Sequence, residues 1–233
     1  MTAPTFIQEA ETSWNTDPSP SLTTASFNVL ANDVLCASGI TSDQVKTITI
    51  TGGSLTWTLR QEVNVAGYCR VLMWTAIVDA DKSMTVTFTE SGGAAQRMGG
   101  NVFTFRASDG VGASSKTNAS GDPTLSLTTT QADSAIVVAS GDWNAVDGTS
   151  RTWWTGAGTL TEQTYFRDSA EYAVYVGYHA NAGAIGSYNV GLDAPGGQKY
   201  SIAAVEIKGV ASAAVVPYQA PVILQAVRRS SFY

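Results

Sequence analysis

The feature that most constrains this chain is a two-residue alternation of apolar and polar side chains that recurs along most of its 233 residues. Residues 84–89 (MTVTFT) and 54–60 (SLTWTLR) both show it. Successive side chains of a β-strand point to opposite faces, so each stretch predicts a strand with one buried and one solvated face. Threonine suits the solvated face because its β-branched side chain is already stiff.

Turn signals separate these stretches and predict an all-β protein without a long helix. Residues 67–78 (GYCRVLMWTAIV) barely alternate, so we expect this strand to be covered on both faces. The pattern predicts a two-sheet antiparallel β-sandwich of jelly-roll or concanavalin-like type. No internal repeat of useful length is evident. The predicted strands lie near residues 26–30, 33–40, 45–51, 54–62, 67–78, 83–90, 101–108, 124–129, 134–140, 159–166, 171–179, 185–193 and 199–208.

The sandwich is predicted to span residues 1–209 as one domain, with residues 1–25 as a lead-in segment and 210–233 as an extended C-terminal arm. The arm carries no charge before Arg228, and its two prolines favour extended backbone. We expect so apolar a segment to lie on a surface of its own domain or of a neighbour. Between the predicted strands, residues 109–123 are expected to form an exposed, mobile loop.

Charged residues make up only 14% of the chain, below the roughly 25% of a typical soluble domain. Such a surface suits packing against neighbours. The net charge of −6 argues against a nucleic-acid partner, and no run of 18 apolar residues predicts a membrane span. The opening residues MTAPTFIQEAE lack the basic and apolar regions of a secretory signal, so we expect synthesis in a cytoplasm.

The residues that most often carry reactivity are few. Cys36 and Cys69 lie in apolar, strand-like runs, which predicts two buried free thiols; a single disulfide is the alternative, since only geometry could establish it. The single histidine, His179, is predicted to be structural. No serine lies in a GxSxG or SxxK pattern.

Carboxylates offer another route to catalysis, since a suitably spaced pair can hydrolyse a glycoside. Most of the candidates lie in or beside turns, where aspartate is typical for local hydrogen bonding. Residues 142–148 (DWNAVDG) partly match a calcium loop, but the third acid comes one residue late. We therefore predict no catalytic residue, no metal site and no cofactor. The candidate carboxylates are Asp142, Asp147, Glu162, Asp168 and Glu171.

Aromatic residues concentrate in and near the loop at 141–158. Trp143, Trp153 and Trp154, together with Tyr165, are candidates for a platform that stacks against a sugar ring. The alternative is that these side chains pack the loop onto the sandwich, which is the commoner arrangement.

The order of several segments gives a family resemblance. They are NVLANDVLCASGI, TGGSLTWTLRQ, WTAIVDADKSMTVTFT, SAIVVASGDW and QKYSIAAVEIKG. Over about residues 1–209 this succession resembles β-sandwich virion proteins of tailed phages that infect actinobacteria, described as minor tail or head-decoration proteins. The resemblance implies oligomeric display on a particle and no cofactor.

We therefore expect a non-enzymatic virion structural protein, made in the host cytoplasm and assembled as a homo-oligomer with other phage tail or capsid proteins. The arm is our candidate for the anchor, and its arginines would suit an acidic partner surface. The alternative is an adhesin whose Trp-rich loop recognises a host surface glycan. The predicted arm contacts are Tyr218, Ile223, Leu224, Arg228, Arg229, Phe232 and Tyr233.

Overall fold

A computed structural model describes residues 2–14, 18–43, 45–91 and 96–211. These residues form 18 β-strands and no helix, so no helix in the described ranges could cross a membrane. The pairing between the strands is antiparallel throughout. The predicted all-β antiparallel class is confirmed. All seven predicted arm contacts lie outside the described residues.

The strands fall into two consecutive units. The N-terminal unit contains β1 (Thr5–Glu11), β2 (Ser21–Thr23), β3 (Phe27–Val29), β4 (Val34–Thr41), β5 (Thr47–Gly52), β6 (Thr58–Val63), β7 (Arg70–Ile77), β8 (Lys82–Met84), β9 (Val86–Ser91) and β10 (Met98–Arg106). The C-terminal unit contains β11 (Val111–Gly121), β12 (Thr124–Thr128), β13 (Ala135–Asp142), β14 (Thr152–Trp153), β15 (Leu160–Asp168), β16 (Tyr172–His179), β17 (Ser187–Ala194) and β18 (Gln198–Ile207).

Both units have the same strand order. The inner sheet of the N-terminal unit runs β1-β10-β4-β7-β6, and that of the C-terminal unit runs β11-β18-β13-β16-β15. The outer sheets run β2-β9-β5 and β12-β17-β14, while β3 and β8 form a separate pair. In each unit the first strand pairs with the last and the chain passes back and forth between two sheets, which is a jelly-roll arrangement.

The two units also share local irregularities. The register shifts between Leu59 and Gln61 on β6, and at the equivalent place between Glu162 and Thr164 on β15. The first strands, β1 and β11, each carry a further shift near their start. A bulge is a specific local feature of a strand pair, so its recurrence at matching positions indicates that the chain contains a structural duplication.

The sheets of the sandwich stack in four layers. The two inner sheets face each other across a central core that includes Val71 and Phe103 from one unit and Val137 and Val174 from the other. Each inner sheet packs its opposite face against its own outer sheet, through separate apolar clusters. The central strands of the inner sheets are therefore buried on both faces, as predicted for residues 67–78, because a layer covers them on either side.

The inner sheets meet in reversed strand order. β6 lies near β11, β7 packs against β18, and β4 packs against β13. At the other side β1 lies near β15, since Thr164 donates a hydrogen bond to Glu11. Equivalent strands of the two units therefore lie against equivalent neighbours, as if a two-fold axis ran between the two inner sheets. The chain resembles a symmetric dimer joined into one polypeptide. A Cβ on Gly141 of β13 would lie 2.8 Å from the Cβ of Cys69, so the two inner sheets approach each other too closely there for a side chain.

Two segments that lie outside the predicted strands form strands. Thr5–Glu11, placed in the lead-in, forms edge strand β1 of the N-terminal inner sheet. Residues 109–123, predicted as a mobile loop, contain the eleven-residue strand β11. The loop prediction for residues 109–123 was wrong because a register shift interrupts β11 and because the strand is built from small polar residues whose conformation depends on pairing with β18.

Candidate functional site

Asp142 organises the Trp-rich loop after β13. Its side chain is buried, and its carboxylate accepts hydrogen bonds from the backbone N–H groups of Asn144 (3.0 Å), Val146 (2.7 Å) and Lys199 (2.8 Å). Burial raises the pKa of Asp142 while these bonds act in the opposite direction. The oxygens that were considered for calcium or catalysis therefore hold the loop in shape, as expected for an aspartate in a turn.

Four side chains form what we call the Arg151 cluster: Arg151, Trp153, Glu162 and Tyr165. The Arg151 guanidinium pairs with both carboxylate oxygens of Glu162, and Trp153 Nε1 donates to Glu162 Oε2 at 2.9 Å. The same guanidinium lies 4.0 Å from the ring centroid of Tyr165, a cation–π distance. Burial raises the pKa of Glu162, but the hydrogen bonds from Arg151 and Trp153 outweigh it and the net pKa is lowered.

The predicted aromatic platform is only partly assembled. Trp153 and Tyr165 pack over the outer face of the C-terminal inner sheet, where the Tyr165 ring stacks on Tyr175 with centroids 5.4 Å apart. Trp143 packs against the central core, on the opposite face of that sheet. Trp154 is half-buried, and its indole N–H has no hydrogen-bond partner among the described residues. A glycan could therefore meet Trp153 and Tyr165 together, but not Trp143 with them.

The remaining candidate carboxylates are also engaged by the protein itself. Arg97, immediately before β10, pairs with Asp168 at 2.8 Å and with Glu171 at 3.0 Å, so one arginine of the N-terminal unit binds two acids of the C-terminal unit. Asp147 accepts hydrogen bonds from the backbone and hydroxyl of Thr149. These contacts lower the pKa of Asp147.

The thiols and the histidine are buried. Cys36 and Cys69 are free and fully buried, which confirms the predicted free thiols. Burial raises the pKa of Cys36 to about 12, so its thiol stays protonated at neutral pH. His179 is also fully buried, its Nδ1 lies 2.9 Å from the carbonyl oxygen of Gly158, and burial lowers its pKa. This environment agrees with a structural histidine.

A second polar group, which sequence reasoning did not find, joins the two units where β1 passes β15. We call it the acidic junction: Glu9, Glu11, Asn101 and Thr164. Asn101 Nδ2 donates to Glu9 Oε1 (2.6 Å) and to Thr164 Oγ1 (2.8 Å), and the Thr164 hydroxyl donates to Glu11 Oε2 (2.9 Å). Burial raises the pKa of Glu9 to about 7; the Asn101 hydrogen bond opposes this rise and the neighbouring Glu11 charge adds to it.

The equivalent junction on the other side of the two-fold axis is built differently. There β6 passes β11, and Gln61 Nε2 donates to Ser114 Oγ at 2.8 Å while Lys116 Nζ donates to the backbone oxygen of Glu62 at 2.6 Å. A surface groove of about 480 Å³ runs along this junction, lined in part by Val63 and Asn118. None of the residues predicted as a site lines it.

Comparisons with known proteins give no identification: no family model, no curated protein and no solved structure matches the chain. Within the described ranges, no group of three or more His, Cys, Asp or Glu side chains is arranged to hold a metal ion. The function must therefore be inferred from the fold, the use of its polar groups and the sequence resemblance.

Proposed function

We propose that the protein is a non-enzymatic virion structural protein, a minor tail or capsid-decoration protein of a tailed phage, displayed as a homo-oligomer and anchored by residues 210–233. The observation that carries the proposal is the internal use of the candidate reactive groups. Asp142 holds a loop, Glu162 is paired with Arg151, and the Arg97 ion pairs join the units. Groups arranged in this way stabilise a rigid building block.

The outer sheets support the same proposal. Their exposed faces carry cross-strand hydroxyl pairs, including Thr23 with Thr87 (2.8 Å) in one unit and Ser126 with Ser187 (2.8 Å) in the other. Short side chains already held by a neighbour lose little conformational entropy when another subunit packs on them. Together with the low content of charged residues, these faces suit contacts with sister subunits or with the particle.

Deleting residues 212–233 tests the anchor. Val210 forms a bridge with Thr2, and the Ala211 N–H donates to Asp109, so a chain ending at Ala211 keeps every strand and these contacts. We expect the truncated protein to unfold at the same temperature as the full chain and to be absent from particles in a complementation assay. A matched control replaces 212–233 with a Gly-Ser segment of equal length. Normal incorporation of either variant would overturn the anchor.

A second candidate function is recognition of a host surface glycan through the Arg151 cluster. The observation in its favour is that Trp153 and Tyr165 lie together beside a charged pair, an arrangement that offers both stacking and hydrogen bonds to a sugar. Binding to purified host cell-wall polysaccharide should fall at least tenfold in Trp153→Ala and in Tyr165→Ala. Trp57→Ala in the N-terminal unit is the control, and equal binding by all variants would dismiss the glycan site.

A further inference from the structure

We propose that the free edge of β11 is a dimer interface, where β11 pairs antiparallel with β11 of a second copy of the chain. The two-fold axis of this dimer would pass beside Thr117, and the pairing would join two five-stranded inner sheets into one continuous sheet. The inference rests on the homo-oligomer of the proposed function and names the strand through which two copies meet.

The backbone of β11 is paired on one side only. β11 is the edge strand of the C-terminal inner sheet and is bonded to β18. Along residues 114–121, the described part of the chain offers the outward-facing N–H and C=O groups no second strand. Such a row of unpaired backbone groups is a template on which another strand can pair.

The other three edges of the inner sheets are protected against such pairing. Charged side chains, bulges and short length are the usual protection of an edge strand. The strands β1, β6 and β15 each have a register shift and at least two charged residues. Their charged residues are Glu9 and Glu11 on β1, Arg60 and Glu62 on β6, and Glu162, Arg167 and Asp168 on β15.

β11 lacks this protection over most of its length. It is the longest of the four edge strands, and its register is unbroken over residues 114–121. Its one charged residue is Lys116, whose Nζ donates to the backbone oxygen of Glu62 across the junction with β6. The duplication makes the contrast sharper, because β1 occupies the equivalent place in the N-terminal unit and carries two carboxylates there.

The sequence of β11 is complementary to itself when two copies run antiparallel about Thr117. No like charges then face each other, and hydroxyl groups face hydroxyl groups. An axis beside Lys116 would instead place two ammonium groups directly opposite one another. The chain already uses hydroxyl pairs between its own strands, as at Thr23 and Thr87. The residues brought opposite one another are Thr117 with Thr117, Lys116 with Asn118, Ser115 with Ala119 and Ser114 with Ser120.

A second copy of the chain is the occupant that these features favour. Pairing of identical edges about a two-fold axis is closed, so association stops at two copies and leaves no further β11 edge exposed. The short side chains of β11 lose little conformational entropy when they are covered.

Sedimentation of the purified full-length protein over a range of concentrations tests the interface. We expect a monomer–dimer equilibrium that Thr117→Lys weakens at least tenfold, because it places like charges opposite each other at the axis. Thr161→Lys is the matched control, since it makes the same change at an exposed threonine on β15, the other edge of the same sheet. Its dimer affinity should equal that of the unmodified chain, and thermal unfolding of the monomers checks that both variants fold.

A cysteine at the axis gives a second test that does not depend on disrupting the dimer. Directly opposite side chains of an antiparallel pair lie close enough for a disulfide, so Thr117→Cys should give a covalent dimer when oxidised by O₂ with a copper catalyst. Cys36 and Cys69 are fully buried and should stay thiols, and Thr161→Cys should remain monomeric on a denaturing gel.

Three results would overturn the proposal: a monomer at every concentration, a dimer that Thr117→Lys leaves intact, or equal cross-linking of the two cysteine variants. Particle incorporation is measured separately. A variant that is monomeric in solution and still enters particles would therefore count against pairing through β11 and not against the virion role.

Discussion

At the scale of single residues, buried polar side chains attach turns to the ends of strands in this fold. Glu206 is the clearest case: it is fully buried, yet its carboxylate accepts hydrogen bonds from Ala113, Thr130, Gln131 and Ser134. Burial opposes ionisation, but these bonds outweigh it and lower the pKa of Glu206. A single anion thus fixes the start of β11 against the turn before β13.

Replacing that anion should be costly. In Glu206→Gln one oxygen becomes an NH₂ group that faces backbone donors, so we expect the free energy of unfolding at pH 7 to fall by about 2–4 kcal/mol. Because the native pKa is depressed, the stability supplied by Glu206 is present above the ordinary pKa of glutamate and is lost as pH falls through the native value. Urea unfolding measures the change. Asp193→Asn should shift stability by less than about 0.5 kcal/mol, and an equal shift would contradict the role of Glu206.

His179 also makes the free energy of unfolding depend on pH. Burial lowers its pKa in the native state, so the unfolded chain takes up a proton at about pH 6.5 before the native protein does. The titration of His179 should therefore leave the free energy of unfolding unchanged above neutral pH. As the pH falls below about 6.5, the same titration should lower the free energy of unfolding. His179→Gln should show a smaller loss between pH 7 and pH 5 in urea titrations. Parallel curves for the two proteins would contradict this account.

At the scale of elements, the sequence predicts strands well where apolar and polar residues alternate. It predicts them poorly where a segment becomes a strand only because it pairs with a neighbouring strand. Residues 84–89 alternate as predicted, with Met84, Val86 and Phe88 buried. β11 was missed because nothing in VGASSKTNASG resembles a core-facing strand, and the acidic junction was missed because its side chains come from three strands distant in sequence. One signal was available: Glu9 and Glu11 stand two residues apart, which places both on one side of a strand.

Hydrogen exchange distinguishes the strand from the predicted loop. The backbone of β11 pairs with β18 from Ser114 to Gly121, and amides bonded within a ladder exchange slowly because local opening must come first. Peptides covering 114–121 should therefore retain deuterium protection comparable to peptides from β12. Peptides from the exposed turn at residues 64–66 serve as the unprotected reference, and equally fast exchange in both would show that residues 114–121 form a loop.

At the scale of the whole molecule, the duplication explains why a single chain has two doubly covered inner sheets. The duplication is hard to recognise in the sequence, although two buried strands have similar sequences. ANDVLCASG covers the turn before β4 and most of that strand, and ADSAIVVASG covers the corresponding turn and strand at β13. At the turn before each strand, Asn32 and Asp133 both adopt positive φ, a conformation in which these two residue types are enriched. Apart from such turns, the units retain only the apolar alternation, because a sheet core accepts many combinations of side chains.

The two-fold arrangement leads to a prediction about the halves. The central core takes residues from both inner sheets, so a unit expressed alone would expose the apolar face that includes Val137 and Val174. Because that face is nearly equivalent in the two units, we expect residues 108–211 alone to self-associate through it, as a dimer or larger aggregate. Co-expression with residues 1–107 should instead give a one-to-one complex. Size-exclusion chromatography with light scattering measures both, and a folded monomer of either half would contradict the shared core.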